Sequence, residues 1–494
     1  MKHIKKILIV IPPMKPKDFG HGYAHKVNYM LTPVEPLSLA AVLIENGYDV
    51  QVFDTGLHQK EMLAKTKEVI SNFQPHALVL ANQVISFQID DWDGAELFAA
   101  AKELDPQITT ITTGTFATNF PDRCTAQTNI DYGLRGEADY TLAYLIDALN
   151  NNHSLNKIPG LFYQSNGNDF VSSDFPTVNL DKLPMPATHL IDRSSYWSLP
   201  EYGKIRYPEK SNKYWHIQTS RGCIHQCHFC CVGFLRGAQK WRRKPILNIM
   251  KEIESALEDG VEEIHFIDDF FAATPEQIIS FCEEIKMRKL HFHWFVAQGM
   301  PLHPINKRAL EAMTESGMYR IIAPFESGDQ SVLTHLHGKK LTLQHSRDVV
   351  KWAKSLNLEL IGAFVIGYPG ETEEQLYKTV DFAEELDPDY VIFSIATPLI
   401  GTALYETAME KKLLPQGYSS VEKIVKRTES VMEDLSLSKK VLAKIRYGEW
   451  DRLNFSSHEK IKKYAKMVGL TVKEIEAQRK LTQKTLDQLL KKYE

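Results

Sequence analysis

Three cysteines set close together constrain this chain more than any other feature. Cys223, Cys227 and Cys230 stand at a C-x3-C-x2-C spacing in the stretch HIQTSRGCIHQCHFCC, residues 216–231. A strand-like run at 214–220 leads into them, and a helical pattern at 244–257 follows a loop containing Gly and Arg. Cysteine thiolates are the usual protein ligands of iron–sulfur clusters, which normally take four of them. Three clustered thiols therefore suggest a [4Fe–4S] cluster with one iron left for a ligand that is not cysteine. Two other readings stay open on spacing alone. His225 and His228 could complete a tetrahedral zinc site with the thiols, or the cysteines could simply be reduced side chains.

C-x3-C-x2-C on a loop after the first strand of an α/β barrel resembles the radical S-adenosylmethionine superfamily. The resemblance implies that the open iron chelates the amino and carboxylate groups of S-adenosylmethionine. Electron transfer then cleaves the sulfonium to a 5′-deoxyadenosyl radical. Phe229, just before the third cysteine, matches the family position near the adenine. Cys231 matches no motif position and is read as a neighbour.

The rest of the composition narrows the setting. A chain of 494 residues has room for roughly three domains. A net charge of −4 gives no sign of nucleic-acid or membrane affinity. Six cysteines are too few for a disulfide scaffold, so a reducing cytoplasm is expected. The apolar run near the N-terminus is only about six residues long before Pro12 and Pro13, too short for a signal peptide or a membrane span, and no longer one follows.

Residues 1–150 read as an open α/β domain. Strand candidates at 6–11, 49–53, 77–80, 108–112 and 130–134 alternate with helical patterns at 36–46, 61–72, 94–103 and 140–149. That alternation predicts a doubly wound, Rossmann-like parallel sheet, with ligands outside the carboxyl ends of its strands. Those ends carry Pro12 and Pro13, Asn82 and Gln83, Gly114 and Thr115, and Gly136 with Glu137. No G-x-G-x-x-G or P-loop occurs. The set PP, EPLSLA, GTFATNFPD and RGEAD resembles the cobalamin-binding domain that precedes many radical S-adenosylmethionine barrels, only partly in its glycine segment. The D-x-H-x-x-G motif for a lower axial histidine is missing, and His21 and His25 have the wrong spacing. The resemblance implies cobalamin bound without a protein histidine on cobalt; the alternative is a domain that binds nothing and only covers the barrel mouth.

Residues 151–210 read as a connector with a hairpin signal at 160–171 and a proline-rich crossing, LDKLPMPA. Residues 211–415 show six strand candidates (215–220, 263–268, 292–298, 319–327, 359–367 and 390–398) separated by five helical patterns. This predicts a partial (β/α)6 TIM-type barrel with its chemistry at the carboxyl ends of the strands. Asp268 and Asp269 end the second strand, where two adjacent acids are costly to bury without a cation or donors. The family places this strand end against the methionine amino group; the plainer reading is a helix cap with a solvated neighbour. Glu326 and Ser327 match a motif near the ribose and methionine. Gly362, Ile366 and Gly367 match the segment where adenine nears the backbone, or else mark tight packing. Pro398 ends the sixth strand. Arg221, Arg242 and Arg243 could pair with carboxylates or a ligand, or form a solvated face. His303, His335 and His337 lack metal-ligand spacing, and Cys124 and Cys282 read as packing residues. Residues 416–494 read as a helical C-terminal region, with Glu474 and Arg479 on neighbouring turns.

The resemblance thus implies a cobalamin-dependent enzyme that methylates an unactivated carbon or phosphorus centre of a small molecule or natural product. It would draw electrons from a flavodoxin- or ferredoxin-type donor and bind no nucleic acid. Two alternatives remain: a radical cyclase or rearrangement enzyme without methyl transfer, and a non-catalytic cobalamin or iron–sulfur sensor. A nucleic-acid methylthiotransferase fits less well, because only Cys124 precedes the barrel motif.

Overall fold

The computed structural model describes residues 3–13, 31–82, 94–165, 167–197, 210–237, 240–416, 418, 429–433 and 437–493. Continuous apolar runs become strands covered on both faces. β1 (Lys6–Ile11) and β3 (Ala77–Ala81) are almost wholly buried between α1 (Val34–Glu45), α2 (Met62–Phe73) and α3 (Ala95–Leu104). With β2 (Asp49–Asp54), β4 (Thr109–Thr113) and β5 (Tyr132–Leu134) they form a parallel sheet in the order β2-β1-β3-β4-β5. The short helices α4 (Thr115–Asn119) and α5 (Pro121–Thr125) follow β4, and α6 (Asp139–Asn150) follows β5.

The sheet does not stop there. The hairpin expected within a connector, β6 (Leu161–Ser165) and β7 (Asn168–Val171), pairs antiparallel onto β5 and completes a seven-stranded sheet. Gly133 permits this, because a Cβ there would lie 1.9 Å from the Phe162 ring.

β8 (Tyr214–Ile217) begins the barrel. The two-residue ribbon of β9 (Ser220–Arg221) and β10 (Arg242–Arg243) brackets the cysteine loop and α7 (Val232–Leu235). Four β/α steps follow: α8 (Ile246–Glu258) and β11 (Glu263–Phe266), α9 (Pro275–Met287) and β12 (His293–Val296), α10 (Lys307–Glu315) and β13 (Arg320–Glu326), then α11 (Leu343–Ser355) and β14 (Glu359–Ile366). α12 (Glu373–Leu386), β15 (Tyr390–Ile395) and α13 (Ala403–Glu410) complete the pattern. Two parallel trios, β8-β11-β12 and β13-β14-β15, meet at a bridge between Trp294 and Met318. The result is the six-stranded partial barrel read from the sequence. Thr274, Asn306, Thr342, Thr372 and Thr402 cap α9 to α13 by accepting from backbone N–H groups, each worth about 1 kcal/mol.

Helices at Lys439–Ala443, Trp450–Asn454, His458–Met467 and Val472–Lys492 pack onto the barrel's last strands. Glu474 closes a capping box with Thr471, and Arg479 reaches Asp451 at 2.7 and 2.8 Å. Among the described residues no helix is long and apolar enough to cross a membrane.

Candidate active site

The cysteine loop is held from several sides. Gly222 adopts φ +80°, where a Cβ would meet the Lys240 carbonyl at 2.2 Å, and its N–H donates to Asp269 Oδ2 at 3.0 Å. His228 N–H donates to the His337 carbonyl at 2.9 Å, and the His228 carbonyl accepts from Leu404 N–H at 2.8 Å. Cys223, Cys227 and Cys230 lie within electrostatic reach of one another, and burial pushes all three thiols up. Buried thiols in a group are poor anions by themselves and good ligands for a bound cation, which would displace their protons.

The histidines do not complete a zinc site. His228 Nδ1 faces the Leu336 carbonyl at 2.9 Å, and the His225 ring packs against Phe270 and His303. Among the described residues no three His, Cys, Asp or Glu side chains form a ready cage for a single ion. Cys231 is buried with Phe116 and Leu235, and Cys124 and Cys282 sit in apolar clusters.

Several polar atoms at the carboxyl side of the strands are buried without a hydrogen-bond partner: Asp268 Oδ2, Gln298 Nε2, Glu371 Oε1 and both ring nitrogens of His337. Such atoms are rare in folded proteins and fit a polar ligand in the barrel mouth. Asp268 Oδ1 accepts from Thr219 and Ser220 hydroxyls at 2.7 and 2.6 Å, and burial pushes its carboxyl up to about 6. Burial likewise raises Glu371 to about 7, although its Oε2 accepts from Gly367 and Tyr368 N–H groups. Glu326 sits on a bulge with φ +68°, a left-handed conformation costing on the order of 1–3 kcal/mol, and pairs with Lys339 at 2.8 Å. Phe229 packs edge-on to His337 beside Tyr368.

Other expected site residues have structural duties. Asp269 receives Arg236 Nε at 2.9 Å besides Gly222, and Glu137 takes both Nη atoms of Arg242 at 2.6 and 2.7 Å. Ser327 is taken by Thr379 Oγ1 and Asp329 N–H. Gly362 faces Phe325 and Pro388, where a Cβ would come within 3.2 Å of each, and Ile366 is core, so both serve barrel packing. Gly367 has φ +81° and turns the chain into the Glu371 contact. The Pro398 carbonyl accepts from Tyr418.

In the N-terminal sheet, Pro12 and Pro13 are buried after β1, and Asn82 follows β3. Gly114, with φ +101°, lies so close to Asn82 that a Cβ would meet its carbonyl oxygen at 2.6 Å. Thr115 is buried beside it. Gly136, with φ +71°, makes room for Phe175 and donates to Thr118 Oγ1. Gln83, His21 and His25 lie outside the described residues.

One functional feature escaped the sequence. A buried network of charge joins the N-terminal sheet to the cysteine loop. Arg221 Nη1 meets Asp139 at 2.6 Å, Arg236 Nη1 meets Glu35 at 2.7 Å, and Gln218 bridges Arg221 to Glu35. Asp139 also accepts from Ser38 at 2.9 Å. Glu35 and Ser38 belong to EPLSLA, and Glu137 and Asp139 to RGEAD. These two segments therefore dock the domain onto the barrel. The signal available in the sequence was three Arg around the cysteines and acids in two loops, with nothing to pair them.

An α/β sheet docked by buried ion pairs over the three-thiol loop of a partial barrel defines a barrel enzyme built around a thiolate-ligated cofactor. The comparisons agree: residues 217–383 match the family model of the Radical SAM superfamily. It is 29% identical over 440 residues to an uncharacterized methyltransferase of Pyrococcus horikoshii, covering 88% of this chain and 90% of that one. It is 26% identical over 438 residues, 79% of each chain, to the cytidylyl-2-hydroxyethylphosphonate methyltransferase of Streptomyces wedmorensis. A solved structure of similar fold is the radical S-adenosylmethionine methyltransferase TsrM of Kitasatospora setae, described with cobalamin and a [4Fe–4S] cluster bound. It has a TM-score of 0.65 and 17% identity, over 82% of this chain and 75% of that one.

Proposed function

We propose that this chain is a cobalamin-dependent radical S-adenosylmethionine methyltransferase, moving a methyl group to an unactivated carbon or phosphorus centre of a small molecule. The observation that carries the reading is the joint likeness, along 88% of the chain, to a methyltransferase. That span takes in both the N-terminal sheet and the barrel.

When bound, the iron–sulfur cluster supplies the electron that splits the sulfonium, and cobalamin supplies the methyl carrier. The chain's part is to bind, orient and exclude water. Cys223, Cys227 and Cys230 are the cluster ligands, and they release protons as they take it up. Asp268 Oδ2 offers an unpaired acceptor suited to an ammonium group. Gly114, free of a Cβ, lets the turn after β4 pack against the Asn82 carbonyl and draws together the two strand ends that would face cobalamin. The ion pairs of Arg221, Arg236 and Arg242 hold the two halves in fixed relation, so that groups bound in each can meet.

The test uses anaerobically reconstituted protein carrying cobalamin, with methyl-labelled S-adenosylmethionine and a low-potential reductant. Label on the cobalamin, together with 5′-deoxyadenosine, supports the reading. 5′-Deoxyadenosine with an unlabelled cobalamin would shift it to radical chemistry without methyl transfer.

A further inference from the structure

The turn after β13 carries a buried imidazole that neither the thiol loop's anchoring contacts nor the charge network employs. Val332–Leu336 winds as one π-helical turn, closed by His337 N–H donating to the Val332 carbonyl at 2.9 Å. Such turns are rare and concentrate at functional sites. This one is locked to the thiol loop through the two contacts of His228 with the Leu336 and His337 carbonyls. Gly338, with φ +64°, allows the lock, since a Cβ there would lie 2.7 Å from the His228 ring.

The turn delivers the His337 side chain to full burial with Nδ1 and Nε2 both unpartnered. Its ring lies 5.3 Å from Phe229, edge-on, and 5.3 Å from Tyr368, tilted. Ala396, Leu404, Leu413 and Met432 wall the same cluster. Burial beside the Lys339 ammonium keeps the imidazole neutral, so it offers one donor and one acceptor in an otherwise aromatic and aliphatic surround. A ligand that satisfies such a place is flat and apolar on its faces, with hydrogen-bonding groups on its edge. A purine has that chemistry; the amino-acid end of S-adenosylmethionine does not.

We propose that His337 reads the edge of the adenine of S-adenosylmethionine, within a cage completed by Phe229 and Tyr368. This rests on the proposed function, which brings S-adenosylmethionine to the neighbouring thiols. His337 is then a specificity-determining binding residue and handles no reacting atom.

The experiment compares wild type, His337→Phe and His337→Gln, each reconstituted anaerobically and matched for iron content. Binding of S-adenosylmethionine and of free L-methionine is read from the change in the reduced cluster's electron paramagnetic resonance signal. The phenylalanine variant should bind S-adenosylmethionine about tenfold more weakly and methionine as wild type does, with glutamine restoring most of the loss. S-inosylmethionine, with hydrogen bonding reversed along one purine edge, should bind wild type about tenfold more weakly than S-adenosylmethionine. This arm needs no variant to fold. Equal binding of the two nucleosides to wild type, or parallel loss of methionine and S-adenosylmethionine in the phenylalanine variant, overturns the proposal. An intact cluster in wild type that responds to neither ligand overturns the functional reading itself.

Discussion

Replacing Arg236 by Met tests the join between the two halves of the molecule. The Arg236 guanidinium is 1% exposed and donates to Glu35 at 2.7 Å and Asp269 at 2.9 Å, with Glu137 at 3.8 Å. In this network four carboxylates (Glu35, Glu137, Asp139, Asp269) face three guanidiniums (Arg221, Arg236, Arg242), a local balance of −1. Arg236→Met takes that to −2 and leaves Glu35 with the Gln218 amide and Asp269 with the Gly222 N–H. Removing one partner of a buried pair costs about 3–5 kcal/mol. Losing an anchor of two acids should fall in that range. Because the pairs are out of water, raising the salt should change the loss little. Calorimetry with urea denaturation of the cluster-free protein measures it. The triple change Arg236→Met, Glu35→Gln, Asp269→Asn removes the uncompensated charge and should recover most of the loss. A destabilisation under about 1 kcal/mol, or strong salt dependence, would place these pairs at a hydrated surface and refute the reasoning.

Three further outcomes follow from single positions. Cys223→Ser, Cys227→Ser and Cys230→Ser should each lose most of the iron taken up on reconstitution, whereas Cys231→Ser, in its apolar cluster, should retain it; iron and sulfide assays decide. Gly114→Ala forces a Cβ against the Asn82 carbonyl at a left-handed φ and should cost about 2 kcal/mol or more while weakening cobalamin uptake, read by denaturation and by absorbance. Asp268 has a carboxyl raised by burial from 3.8 to about 6 in the fold, so its stabilising contribution is complete below about pH 4 and is lost as pH rises through 6. Asp268→Asn cannot ionise, so in cluster-free protein it should gain on wild type by on the order of 2 kcal/mol between pH 4.5 and pH 8; parallel pH curves for the two proteins would contradict the assignment.

What the sequence disclosed, and what it hid, follows from the range of the interactions. Apolar strand runs and capped helices are local, so both sheets and the six barrel strands were legible, as was the three-thiol loop. The hairpin at 161–171 was visible as a hairpin. Its partner β5 was not, because turn chemistry says nothing about which sheet edge a hairpin joins. The charge network was hidden for the same reason: Arg221 and Asp139 are 82 residues apart, and Arg236 and Glu35 are 201 apart. A carboxylate at a strand end looks the same in sequence whether it faces a ligand, as Asp268 can, or an arginine, as Asp269 and Glu137 do. His337 lacks metal-ligand spacing, so nothing in the sequence singles it out. Only its burial and its two unpaired nitrogens mark it.

The most direct test of the whole account is electron–nuclear double resonance on the reduced, reconstituted protein with S-adenosylmethionine carrying 15N in its amino group. About four irons per chain and a clear nitrogen coupling to the cluster are expected, because three cysteines leave one iron open. A single tetrahedral metal at the thiols, or a full cluster with no nitrogen coupling, would contradict it.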